Sequence, residues 1–190
     1  MDAWEAILGR RSVARLEGER PPREDVARLL DAAVRAPCHF LTEPWRFIVL
    51  SGPALDELGA VMADRVRREG EAGPETEARA ALEQGRPRRA PVIVTFVYTP
   101  SSHPSAIECE DRYAVGAAIE NLLVAAHAGG MATYLRTGPA AYDPAVHELL
   151  GLEDGEEIAG FVYLGYPAGE PGRSSRRTPA AERTTWRGWD

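Results

Sequence analysis

The stretch "CEDRYAVGAAIENLLVAAHAGG", residues 109–130, begins with charges and then places apolar or small residues around most of a helical circumference: Val115, Ala118, Ile119, Leu122, Leu123, Ala125 and Ala126. A surface helix carries one apolar stripe, whereas a helix apolar nearly all round is buried on more than one side. In a chain of 190 residues, that places it at the domain centre or in a subunit interface. This length predicts one domain, residues 1–190, with one substantial core and therefore one site.

Outward from that helix the elements alternate without a strict βα rhythm. Asp2 can cap a short first helix that ends at Gly9. Residues 21–37, "PPREDVARLLDAAVRAP", form the clearest amphipathic helix, with proline at its start, Glu24 and Asp25 in its first turn, and Val26, Leu29, Leu30 and Ala33 on one face. "WRFIVLSG" at 45–52 and "PVIVTFVYTP" at 91–100 read as buried strands, and 53–68 as another amphipathic helix. Residues 69–90 are charged and punctuated by glycine and proline, so they read as an exposed excursion holding at most a mobile helix, of the kind that covers a site. "MATYLRTGP" and "IAGFVYLGYP" are further strands separated by the short helix "PAVHELLG", and the basic tail reads as loop. The pattern predicts a layered α+β domain with a mixed sheet rather than a doubly wound fold. The chain has neither G-x-G-x-x-G after a strand nor a G-x-x-x-x-G-K loop.

Composition narrows the chemistry. The net charge of −7 repels polyanions and argues against nucleic acid as a partner. No apolar run approaches the ~20 residues that span a bilayer, and the N-terminus does not resemble a secretory signal, so a cytoplasmic protein with no membrane partner is expected. Cys38 and Cys109 are the only cysteines, and both are expected to be reduced thiols. All 22 basic residues are arginine, which removes P-loop, Schiff-base and general-base lysines together.

Two basic clusters lie at opposite ends of this acidic chain. Arg10, Arg11, Ser12 and Arg15 could offer guanidinium forks and a hydroxyl to a phosphate, or could be solvated and complement the dipole of the first helix. Arg173, Arg176 and Arg177 lie in the tail and could equally be a flexible basic surface. Between the clusters, "RAPCHFLTEPW" brings Arg35, Cys38, His39, Glu43 and Trp45 together. Adjacent cysteine and histidine are a poor catalytic pair, since such partners normally meet in space rather than in sequence. The histidines at 39, 103, 127 and 147 have no metal-ligand spacing, so no metal is expected, and there is no G-x-S-x-G.

Taken together, "AILGRRSVARL", "RAPCHFLTEPWRFIVLSG", "AVGAAIENLLVAAHAGGMATYLRTG" and "IAGFVYLGYP", followed by "RRTP", resemble in kind and order the FMN-dependent nitroreductase family, above all its short bacterial, YdjA-like members. The resemblance implies a three-layer α/β/α domain with a mixed, mostly antiparallel sheet. It also implies an intertwined homodimer with FMN at the interface, whose core the long helix would supply. By the same resemblance Arg10, Arg11 and Ser12 would hold the FMN phosphate and ribityl end, Arg35 and His39 would meet the flavin, and Leu135, Arg136 and Thr137 would line its ring. Arg177, rather than Arg176, would be the tail's phosphate contact.

The implied activity is NAD(P)H-dependent reduction of nitroaromatics, quinones or similar small electrophiles by two successive hydride transfers. No protein acid or base need be catalytic in the hydride step, because the cofactor carries the electron chemistry. Cys38, Leu41 and Glu43 depart from the serine, asparagine and glutamine common in the family, and an acid near the ring would disfavour the anionic reduced flavin. An FMN-storing or sensing protein, and an arginine-tailed interaction module without cofactor, remain the competing readings.

Overall fold

A run of β-branched, aromatic and small residues, Glu157–Pro167, forms the strand on which the sheet of this computed structural model is built. The structure describes residues 1–17, 19–169 and 176–189. Numbered in chain order, this strand is β5, after β1 (Leu16–Glu17), β2 (Trp45–Ser51), β3 (Val92–Tyr98) and β4 (Ala132–Arg136). It pairs with β3 on one side and β4 on the other, and its last residues also take β1; β2 lies beyond β3. These pairings are all antiparallel. A single parallel bridge, Ser12 to Thr133, makes the sheet mixed.

Period-two alternation sends the strand residues to two different layers. Val92, Val94, Phe96, Val162 and Leu164 pack with α2 (Arg23–Ala33) and α5 (Glu108–Ala128). Ile93, Phe161 and Tyr163 pack on the other face with α3 (Pro53–Glu69) and α6 (Pro144–Leu150). The result is the expected α/β/α arrangement. Helix α1 (Ala3–Gly9) carries a reciprocal capping box between Asp2 and Glu5 and packs against α5.

Two sequence expectations need correction. Residues 45–52 were expected to be a buried strand, but β2 is an edge strand, mostly half-buried, with Val49 exposed. Residues 69–90 are not a loose excursion. They contain α4 (Pro74–Gly85), which docks on α3 through Ala80, buried with Ala63 and Val66. The docking face is alanine and threonine, which gives little hydrophobic signal, while the conspicuous charges lie outside, where Arg67 joins Asp64 and Glu77. In the basic tail, read as loop, Arg173 lies outside the described residues, and 176–189 is exposed throughout, with no more than a short turn at Ala180–Arg183.

The α3–α4 contact depends on the missing side chain of Gly59, where a Cβ would sit 2.2 Å from the Gln84 carbonyl oxygen. Gly59→Ala is therefore expected to destabilise the fold by about 1–3 kcal/mol, despite alanine's better helix propensity. Equal urea midpoints for the variant and the parent would contradict this packing.

Candidate functional site

Where α1 ends, the chain passes close to the C-terminal end of α5. A Cβ at Gly9 would lie 2.8 Å from His127 Nε2, so glycine permits the approach. Arg10 Nε then donates to Glu120 Oε1 at 2.9 Å. Arg11 faces a recess of about 220 Å³ shared with Val13, His127, Met131 and Thr133. Its Nε is buried and has no hydrogen-bond partner, a state that costs about 1–3 kcal/mol unless something accepts the bond. Burial, followed by the charges of Arg11 and Arg10, holds the His127 imidazolium pKa below its ordinary value. Ser12 is exposed where it bridges to β4. An orphaned guanidinium N–H, a hydroxyl and excess positive charge suit an oxyanion, and so fit the phosphate of a nucleotide cofactor. Arg15 does not join them: it is 84% exposed, and among the described residues its nearest acid is Glu17, at 4.0 Å.

The end of β4 forms a second group. Leu135 packs into the α5 side of the core and against Gly160, where a Cβ would lie 2.8 Å from Leu135 Cδ1. Arg136 sits over Tyr134 and Tyr163, 5.5 and 5.9 Å from their ring centroids. Thr137 follows the strand, exposed, ahead of Gly138 with φ of 129°.

Arg35 and His39 lie in a third region, after α2. Arg35 is exposed, and His39 opens a 3₁₀ turn, His39–Leu41, with Nδ1 3.9 Å from Glu110 Oε2. Phe40, Leu41 and Glu43 all have positive φ, of 52°, 52° and 43°. Such conformations cost on the order of 1–3 kcal/mol each and concentrate at functional sites. The segment is held by Thr42 Oγ1 donating to the buried Asp111 at 2.6 Å and by Thr99 N–H donating to the Pro44 carbonyl at 3.1 Å. Phe40 stacks on His103 at 4.6 Å, a partnership with no signal in the sequence. Cys38 is half-buried and Cys109 exposed.

One chain does not bring these regions together. Glu110 and His127 lie on the same helix, seventeen residues and so roughly 25 Å apart at 1.5 Å per residue. The His39 segment is at one end of α5 and the Arg11 recess at the other. Arg177 is exposed in the tail.

Comparison with known proteins supplies the lineage. The model of the nitroreductase family matches residues 7–166. The chain belongs to this family. A curated relative, YdjA of Escherichia coli strain K12, provisionally named an NAD(P)H nitroreductase, is 32% identical over 88% of this chain and 89% of its own length. Among solved structures, a nitroreductase-like family protein from Bacillus cereus superposes with a TM-score of 0.82 at 23% identity, covering 99% of this chain and 97% of the other. A protein from Desulfovibrio desulfuricans, described as a nitroreductase in complex with FMN, gives a TM-score of 0.75 at 26% identity over 100% and 99% of the two chains. Among the described residues of this family member, no helix is long and apolar enough to cross a membrane, and no group of acidic, cysteine or histidine side chains could hold a metal ion.

His127, Thr42, Asp111 and His103 are the residues that sequence reasoning missed around these regions. Thr42→Val leaves the buried Asp111 without that donor, and a loss of about 1–3 kcal/mol is expected, together with faster amide exchange across residues 39–43. Exchange rates identical to the parent's would show that this hydrogen bond does not hold the strained segment.

Proposed function

We propose that residues 1–190 act as one FMN-dependent NAD(P)H oxidoreductase domain that reduces small electrophiles, nitroaromatics and quinones among them. The observation that carries this reading is the Arg11 recess: a buried, unpartnered guanidinium N–H at the open edge of β4, in a chain that belongs to the nitroreductase family. FMN, when bound, accepts hydride from NAD(P)H and passes it to the acceptor that replaces the nicotinamide.

The protein's part is to bind and orient. Arg11 and Ser12 hold the phosphate, with Arg10 steadied by Glu120 beside them, and Arg177 adds a further cation from the tail. Leu135, Arg136 and Thr137, at the end of β4, form the wall along the ring. Positioning of this kind can account for ~7–11 kcal/mol of a barrier.

The distance along α5 supports a shared site. In a dimer whose two-fold axis crosses α5 at right angles, the two copies of the helix run antiparallel, so the His39 end of one chain approaches the Arg11 end of the other. The stripe available for that packing is Tyr113, Gly116, Ala117 and Val124, exposed or half-buried, and a Cβ on Gly116 would meet nothing within 4 Å. Trp4, Ile7 and Leu8 of α1 and Phe40 and Leu41 of the strained turn extend the apolar surface. Exposed apolar surface of this kind marks an interface, and Arg35 and His39 then reach the flavin held by the partner.

The purified protein, supplemented with FMN and desalted, is expected to be yellow and to bleach on anaerobic addition of NADH or NADPH. Flavin that stays oxidised with both would indicate storage or sensing, and a colourless protein would refute the reading. Arg11→Ala is expected to lower flavin retention at least about tenfold, the scale of a lost charge-assisted hydrogen bond; undiminished retention after gel filtration would remove Arg11 from the phosphate site. Gly116→Arg is expected to give monomers by analytical ultracentrifugation and to lose flavin with them. A flavin-loaded monomer would rule out the shared site.

A further inference from the structure

On the sheet face away from α5, four arginines from three parts of the chain converge near the end of β4. Arg65 comes from α3, Arg86 and Arg89 from the link between α4 and β3, and Arg136 from β4 itself. Their common floor is Tyr163, which Arg136 overlies along with Tyr134. Burial pushes the Tyr163 phenol pKa up, while Arg136, Arg86 and Arg89 each pull it down, so all three charges act on that ring.

Carboxylates answer only part of this charge. Arg65 pairs with Glu69 at 2.5 Å and Arg86 with Glu83 at 2.9 Å. Among the described residues no carboxylate lies within 4.0 Å of Arg89 or Arg136, and Arg65 Nε is buried with no hydrogen-bond partner. Guanidinium groups gathered in this way repel one another unless an anion is shared among them.

The space fits a group rather than a whole molecule. The cleft bounded by Ala14, Leu16, Arg89, Tyr134, Arg136 and Tyr163 has a volume of about 140 Å³, and a recess of about 30 Å³ beyond Arg136 is lined in part by Arg65 and Arg86. Sites for complete small ligands run to about 300–1,000 Å³. The polar groups are those that recognise planar or tetrahedral oxyanions through paired N–H donors.

We infer that this cleft is an oxyanion subsite, taking the carboxylate or phosphate of a reactant whose reacting end lies at residues 135–137. The inference rests on the proposed function for that placement, and it narrows the substrate class to molecules with an anionic arm. Two sources share this chemistry: a phosphate of the reduced dinucleotide, and the carboxylate of an aromatic acceptor.

The test uses the FMN-loaded protein and the double variant Arg86→Ala/Arg89→Ala, with thermal melting to confirm that the variant folds. Two ratios of kcat/KM are compared: 4-nitrobenzoate against nitrobenzene with NADH as donor, and NADPH against NADH with a neutral quinone as acceptor. Loss of charge-assisted hydrogen bonds should lower one ratio by about ten- to a hundredfold, with the FMN dissociation constant unchanged. A fall in the first assigns the cleft to the acceptor's carboxylate, and a fall in the second to the dinucleotide's phosphate. Bound flavin that bleaches normally while both ratios stay put overturns the subsite and leaves the proposed function standing.

A parent protein that stays colourless in FMN overturns the proposed function instead. The cleft is then judged by titrating inorganic phosphate into the flavin-free Arg11→Ala protein, in which the other recess is disabled. Binding that disappears when Arg86→Ala and Arg89→Ala are added supports the oxyanion site; binding that is absent from the start, or that persists, refutes it.

Discussion

The burial of α5 is the constraint on which the other elements depend. It must hide Val115, Ala118, Ile119, Leu122, Leu123 and Ala126, and one sheet face cannot cover a helix apolar on so many sides. Helix α2 covers part of it, the α5-facing side chains of β3 and β5 cover another part, and α1 lies along its later turns. What these leave uncovered is a narrow stripe centred on Gly116 and Ala117, where small residues would let a second helix come close. The fold and the proposed assembly thus answer the same excess of apolar surface.

Helix α5 also sets the spacing of the functional groups. At its N-terminal end, buried Asp111 anchors Thr42 and with it a segment with three positive φ values. At its C-terminal end, His127 stands against Gly9 and beside Arg11. A rigid helix cannot bring its own ends together, so cooperation between them requires a second chain. This gives the proposed dimer a geometric reason, separate from any stability that the dimer adds.

Legibility in the sequence followed the source of each signal. Helix α5 was plain from a long run of apolar and small residues, and strands β3 and β5 from short runs of β-branched and aromatic ones. Helix α4 was misread because its contact with α3 uses alanine, threonine and the absence of a side chain at Gly59, none of which registers as hydrophobic. The Arg10–Ser12 cluster was visible, but its sorting was not: Arg10 has a carboxylate partner, Arg11 has a buried donor without one, and Arg15 points to solvent. The partner of Arg10 lies 110 positions away and Arg11 has none among the described residues, so neither fate is written in the local sequence. His39 was legible through its motif, whereas its neighbour His103 was not, because stacking on Phe40 is decided by a backbone conformation that the residue types disfavour.

In a chain whose every cation is arginine, pairing is what separates structure from function. Arg46 is held by Glu156 and the Gly151 carbonyl, and the Glu156 carboxyl is pulled down to about 2 by that guanidinium. Arg112 is clamped between Glu108 and Glu157, Arg68 meets Asp143, and Arg88 meets Asp56. These cations have their charge answered and serve to tie elements together. Arg11, Arg89 and Arg136 have no such partner among the described residues, and each faces a recess. In an acidic protein with more carboxylates than guanidiniums, partners are not scarce. A recess lined by unanswered arginines is where an anion from outside would complete the charge balance, and the two proposed sites, Arg11 on one side of β4 and Arg89 with Arg136 on the other, share that feature.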